Sequence, residues 1–101
     1  MPDALLTDPL GRSIVLHDRT WHGHIVRSHP EMRPERALVE QAVLSPDEIR
    51  HSQSEVDCRI YYGPGPREGV RIMVIVDVRL GLVKTAHLAR KVTGGSQEWS
   101  K

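Results

Sequence analysis

Val70-Arg71-Ile72-Met73-Val74-Ile75-Val76-Asp77-Val78 decides the fold. The even positions are all aliphatic, and Arg71, Met73, Ile75, Asp77 and Arg79 alternate with them. Successive side chains of a strand point to opposite faces, so this period of two reads as a strand with one wholly apolar face. Leu80-Gly81 turns the chain, and Leu82 to Leu88 returns as another strand. Upstream, Arg59 to Tyr62 reads as a strand joined to the Val-rich one by Gly63-Pro64-Gly65-Pro66, punctuated at every position.

Earlier in the chain the period lengthens. A helix is predicted from about Thr20 to Ser28, capped by Asp18 or Thr20. His29 precedes Pro30, and the residue before proline is pushed out of helical geometry. Pro34 suits the first turn of a second helix, whose buried stripe is Leu38, Val39, Ala42 and Val43. Ser45-Pro46-Asp47-Glu48 reads as a capping box opening a helical turn that ends near His51. Gly11 to Leu16 reads as a short first strand or extended entry segment. Helices grouped before short-linked strands predict an α+β fold, with N-terminal helices packed on a mostly antiparallel sheet of about four strands. Residues 1–10 are expected to form a flexible arm, 11–92 a single domain and 93–101 a flexible tail.

A chain of 101 residues supports one core, and without Phe that core must come from Val, Ile and Leu. The net charge of +1 excludes polyanion binding by the whole surface; a nucleic-acid partner would need a local basic face. Cys58 stands alone, so no internal disulfide forms, which fits a reducing, cytoplasmic setting. Among strand-forming residues it reads as a plain buried thiol. No apolar run reaches bilayer length, and Met1 to Thr7 lacks the basic start of a secretion signal, so no membrane partner is expected.

The chemistry concentrates in Trp21-His22-Gly23-His24-Ile25-Val26-Arg27-Ser28-His29-Pro30-Glu31. Histidine is the side chain whose unperturbed pKa allows proton transfer in both directions near neutral pH. On a helix Trp21, Ile25 and Ser28 share a face with His24 at its edge. His24 therefore has two readings: a half-buried ring bonded to backbone, or a proton-transfer group projecting into a cleft. The histidines and Glu31 are zinc-ligand types, but neither helical pair has the i, i+4 spacing that puts two imidazoles on one metal, and no Cys pair accompanies them. No metal or other cofactor is expected.

On the last strand Thr85 and His87 point to one face, and Lys84 and Ala86 to the other. A solvated outer face explains such residues as readily as a site does. Tyr61 and Tyr62 point to opposite faces, one for the core and one free to stack on a base or donate a hydrogen bond. Metal-free cleavage of RNA needs a base for the 2′-hydroxyl, a cation or donor set for the phosphate oxygens, and an acid for the leaving oxygen. Histidine, arginine and hydroxyl groups on the first helix and last strands suit these roles. The sequence holds no phosphate-cradling glycine loop and no Gly-x-Ser-x-Gly nucleophile turn.

Gly11-Arg12, Trp21-x-x-His24-Ile25, His29-Pro30-Glu31, Pro46-Asp47, Tyr61-Tyr62, a Val-rich strand and Thr85-Ala86 follow one another between Gly11 and Leu88. This succession resembles the phage-associated branch of the barnase, EndoU, colicin and RelE-like nuclease fold, together with small related bacterial proteins. The resemblance implies helices packed on a four-stranded antiparallel sheet and a metal-independent, toxin-like ribonuclease. It implies a catalytic helix histidine, at His24 with His29 as second choice, and a late-strand hydroxyl at Thr85. It implies substrate contacts on a middle strand at Arg59, Tyr61 or Tyr62. The family's usual residue after Thr-Ala is aromatic; here His87 stands there, which either adds an acid or base or marks a changed site.

The resulting expectation is cleavage of single-stranded RNA or tRNA by 2′-hydroxyl attack. His24 would act with His29 or His87, Thr85 would donate to phosphate, and Arg59 and Arg71 would hold it. RNA and an inhibitor or antitoxin protein are the expected partners. The rival expectation is a catalytically inactive module of the same fold that binds RNA or a protein.

Overall fold

The computed structural model describes residues 2–101. Strands β1 (Ala4–Thr7) and β2 (Ser13–Leu16) form an antiparallel hairpin. A helical segment follows: α1 (Asp18–Thr20) runs into a π-helical turn, Trp21–Val26. After the break at His29, a 3-10 segment, Pro30–Glu35, leads into α2 (Arg36–Leu44). The chain then makes β3 (Glu48–His51), β4 (Cys58–Pro64), β5 (Arg71–Asp77), β6 (Leu82–Ala89) and β7 (Gln97–Ser100).

All seven strands belong to one sheet, ordered β1-β2-β6-β5-β4-β3-β7. It is α+β, but the expectation of N-terminal helices on about four mostly antiparallel strands is corrected to a curled, mixed sheet of seven, with the helices inserted between β2 and β3. The parallel element is small: β2 meets β6 only at Val15 and Leu82. The additional strands come from segments that carry no long apolar alternation. The expected arm contains β1, held because Leu6 is buried and Ala4 pairs with Leu16. The expected tail contains β7, where Trp99 pairs with Ile49 and packs against the core. The capping box at Ser45 does not open a helical turn. Ile49 is fully buried between β4 and β7, and a ladder on both sides outweighs an isolated turn, whose nucleation is unfavourable.

The Val-rich strand behaves as its period requires. Ile72, Val74 and Val76 are fully buried against Val39, Ala42 and Val43 of α2, while Arg71, Met73, Ile75 and Asp77 face the other way. The sheet accepts α2 closely because β4 offers Gly63 there: a Cβ at that position would stand 2.8 Å from Cβ of Ala42. Gly81 turns β5 into β6 with φ +71, a backbone state that costs glycine little.

Side chains near the two ends of the sheet meet through a polar network. Asp8, in the β1–β2 loop, is buried and accepts the backbone N–H groups of Leu10 and Arg12 on Oδ1. Its Oδ2 accepts the Tyr61 hydroxyl and Arg12 Nε. Arg12 also donates to Tyr61 and to Glu98 on β7, and Glu98 accepts from Arg59 at 2.7 Å. Burial pushes the Asp8 and Glu98 carboxyls up, but the hydrogen bonds from Tyr61, Arg12 and Arg59 outweigh it and hold both below their ordinary values.

Depressed folded-state pKa values add stability above the unfolded carboxylate range, which is lost as pH falls through the lower folded values. The urea midpoint should therefore stay level from neutral pH to about pH 5 and fall below about pH 4. Tyr61→Phe should cost about 1–3 kcal/mol at pH 7 in the same urea titration, because it leaves a buried carboxylate with one donor fewer. A cost near zero would show that the hairpin is held by its apolar contacts alone.

Candidate functional site

The π turn decides where the histidines point. Ile25 and Val26 are consecutive, yet both are buried together with Trp21, which a wide turn allows. His22, Gly23 and His24 are left exposed on the outside. Gly23 has no protein atom within 4 Å of where a Cβ would stand, so it serves no close packing. Of the two readings of His24, the half-buried one is excluded: the ring is exposed and faces a pocket.

That pocket, of about 270 Å³, is lined by His24, Thr85, Lys84, Ile75, Cys58 and Glu55, with Ser52 and Ser54 at its rim. Thr85 and His87 share the face of β6 turned away from Ala86, the residue that contacts the core. Lys84 was expected on the opposite face from Thr85. A β-bulge overturns that: Ile75 pairs with Thr85 and Val76 with Val83, so Lys84 is the extra residue and joins the pocket wall. Its ammonium lies 2.8 Å from Glu55. That hydrogen bond raises the Lys84 pKa, so the ammonium stays charged.

Two further histidines adjoin along the same strand face. The rings of His29 and His87 have centroids 5.2 Å apart and are tilted by 38°. His87 Nδ1 lies 2.9 Å from the Leu88 carbonyl oxygen. A carbonyl only accepts, so Nδ1 is the donor of this hydrogen bond, which leaves Nε2 outside it. His29, at the proline break, has Glu31 3.8 Å from its Nδ1. The four residues His24, His29, Thr85 and His87 thus gather on one side of β6.

The residues expected to bind substrate do not all gather there. Tyr61 and Tyr62 are both fully buried. Tyr61 is bonded to Asp8 and Arg12, and the Tyr62 hydroxyl donates to the Thr93 carbonyl oxygen at 3.0 Å. Neither can stack on a base. Arg59 is paired with Glu98 on the Tyr61 side of β4 and cannot reach a phosphate at His24. Arg71 shares the face of Thr85 and His87 but sits farther along, 3.7 Å from Asp47. Sequence reasoning missed Lys84 and Glu55. No residue type announces a bulge, and Glu55 lies in a polar stretch without a period.

Cys58 is buried, as the sequence suggests. Burial, then the hydrogen bond to Glu55, pushes its thiol up to about 11. The same thiol, followed by Lys84, lowers the Glu55 pKa. Among the described residues no group of three or more His, Cys, Asp or Glu side chains is disposed to hold a metal ion. No helix among them is long and apolar enough to cross a membrane. No protein-family model, curated protein sequence or solved structure matches the chain.

A neutral, buried thiol is a poor nucleophile. Iodoacetamide at pH 8 should therefore leave Cys58 unmodified in the folded protein for as long as it takes to alkylate the urea-unfolded chain fully, read by intact mass. Equal rates would place the thiol in open solvent.

Proposed function

We propose that the pocket between the π turn and β6 cleaves single-stranded RNA by attack of a ribose 2′-hydroxyl on the adjacent phosphorus. The observation that carries this reading is that His24 and Thr85, from segments about sixty residues apart, line one open pocket, with His29 and His87 beside them. The resemblance to the barnase, EndoU, colicin and RelE-like nucleases points to the same chemistry.

In this reading one imidazole takes the 2′-hydroxyl proton while the 2′-oxygen bonds to phosphorus. The bond from phosphorus to the 5′-oxygen breaks, and a second imidazole protonates that oxygen. The products are a 2′,3′-cyclic phosphate and a 5′-hydroxyl. His24 is one partner and His29 or His87 the other; the free Nε2 of His87 suits the base. Thr85 and Lys84 donate to the phosphate oxygens as their charge grows, which is where such donors contribute most. One side chain takes the 2′-hydroxyl proton and another gives a proton to the leaving 5′-oxygen, so both transfers are made by groups at the site.

The inactive-module reading has its own support. Glu55 keeps a negative charge in the pocket and pairs with the lysine that would meet phosphate.

His24→Ala should lower cleavage of a single-stranded RNA by about 10²–10⁴-fold, the usual contribution of a general acid or base, with the far-ultraviolet circular dichroism unchanged. The parent should yield cyclic-phosphate ends in the presence of a chelator, with a bell-shaped pH dependence. Parent and variant cutting alike would remove His24 from the chemistry. Salt-dependent RNA binding by the parent without any product would favour the inactive module.

A further inference from the structure

The face of β5 and β6 that carries the histidines continues past them. From Thr85 to Ala89 the register with β5 is unbroken, and Ala89 pairs with Arg71. Four residues of strand cover about 13 Å, a span that roughly two nucleotides of an extended strand cross. At that far end lies a second concavity of about 560 Å³, lined by Arg67, Arg71 and Arg90 with Asp47 and Glu68. Arg71 is partly offset by Asp47 at 3.7 Å. Among the described residues neither Arg67, in the β4–β5 loop, nor Arg90, just beyond β6, is ion-paired, and both are exposed.

The ground between the two concavities suits a polynucleotide chain. Met73 pairs with His87, and both are half-buried on the shared face. Beyond them the segment from Arg90 to Ser96 leaves β6 and crosses toward β7, over the same side of the sheet. Thr93 is bonded to the Tyr62 hydroxyl, and Gly94 lies against Ile60. This crossing covers β4, whereas His24 and His29 flank β6 from the opposite side. Between these two walls the shared face of β5 and β6 runs from the lysine and histidine pocket, past Met73 and His87, to the arginine basin.

We propose that the Arg67, Arg71 and Arg90 basin is a distal phosphate subsite, and that one RNA strand lies along β6 with its scissile phosphate at His24 and Thr85 and a phosphate roughly two nucleotides away in the basin. This rests on the ribonuclease reading of the His24 pocket and adds the length and path of its substrate. A molecule of net charge +1 gains a local cationic track in this way without a basic surface overall.

The test uses binding, so that it does not depend on cleavage. Affinities of the intact protein for 2′-O-methyl oligonucleotides of two and six nucleotides are compared with those of the Arg67→Ala/Arg90→Ala double variant by fluorescence anisotropy. The parent should prefer the longer strand by about tenfold or more. In the double variant that preference should collapse toward one, and the slope of log affinity against log salt for the longer strand should fall by about 0.7, one phosphate's worth. Arg67→Lys/Arg90→Lys should restore both, which a merely structural loss would not. An undiminished preference in the Ala variant, or no binding by the parent to either strand, overturns the proposal. If the length preference behaves as stated while unmodified RNA stays uncut, the subsite stands and the ribonuclease reading falls.

Discussion

The buried carboxylate of Asp8 governs the shape of this molecule. It sits in the β1–β2 loop, at one end of the strand order, and accepts hydrogen bonds from Tyr61 in the middle of the sheet. Arg12, held by Asp8, reaches Glu98 on the last strand at the other end. A carboxylate is buried at tolerable cost only when its oxygens are satisfied. Here the groups that satisfy it come from the loop, β4 and, through Arg12, β7. Satisfying this one charge therefore draws the ends of the sheet together, and the sheet curls around α2.

The curl also creates the site. β2 pairs with β6 at a single position, Val15 with Leu82. The helical segment from Asp18 follows β2 and lies against the rest of β6. Trp21, Ile25 and Val26 enter the core, and the intervening His24 is carried to the pocket on the other face of β6. A π turn brings Trp21 and Val26, five positions apart, to the same buried side.

On the exposed face, charge is arranged by small irregularities. One bulge turns Lys84 toward Thr85. Glu55 then links Lys84 and Cys58; burial first and this hydrogen bond second keep the thiol protonated, and the same carboxylate keeps the ammonium charged. The segment beyond β6 closes over Tyr62, while Met73 and His87 on β5 and β6 stay half-buried. Histidines, a hydroxyl and cations thus follow one strand face. The opposite face of that sheet is entirely apolar where α2 covers it.

How much of this was written locally differs from element to element. Val70 to Val78 was legible because a period of two admits one solution, the return through Leu82 to Leu88 was legible as a strand but not in the face of Lys84, and the buried stripe of α2 was legible from its period of 3.6. His24, His29, Thr85 and His87 were singled out by residue type and by resemblance, and the fold brings them to one side of β6. Sequence alone therefore determined the central hairpin, the helix that covers it and the identity of the histidine cluster. It did not determine β1, β3 and β7, whose four-residue segments become strands only when a neighbour supplies hydrogen bonds and buries Leu6, Ile49 or Trp99. Nor did it determine the fate of Arg59, Tyr61 and Tyr62. Their hydrogen-bond partners lie 30 or more residues away for all but a few bonds, so only the assembled sheet could turn them from substrate contacts into supports of the core.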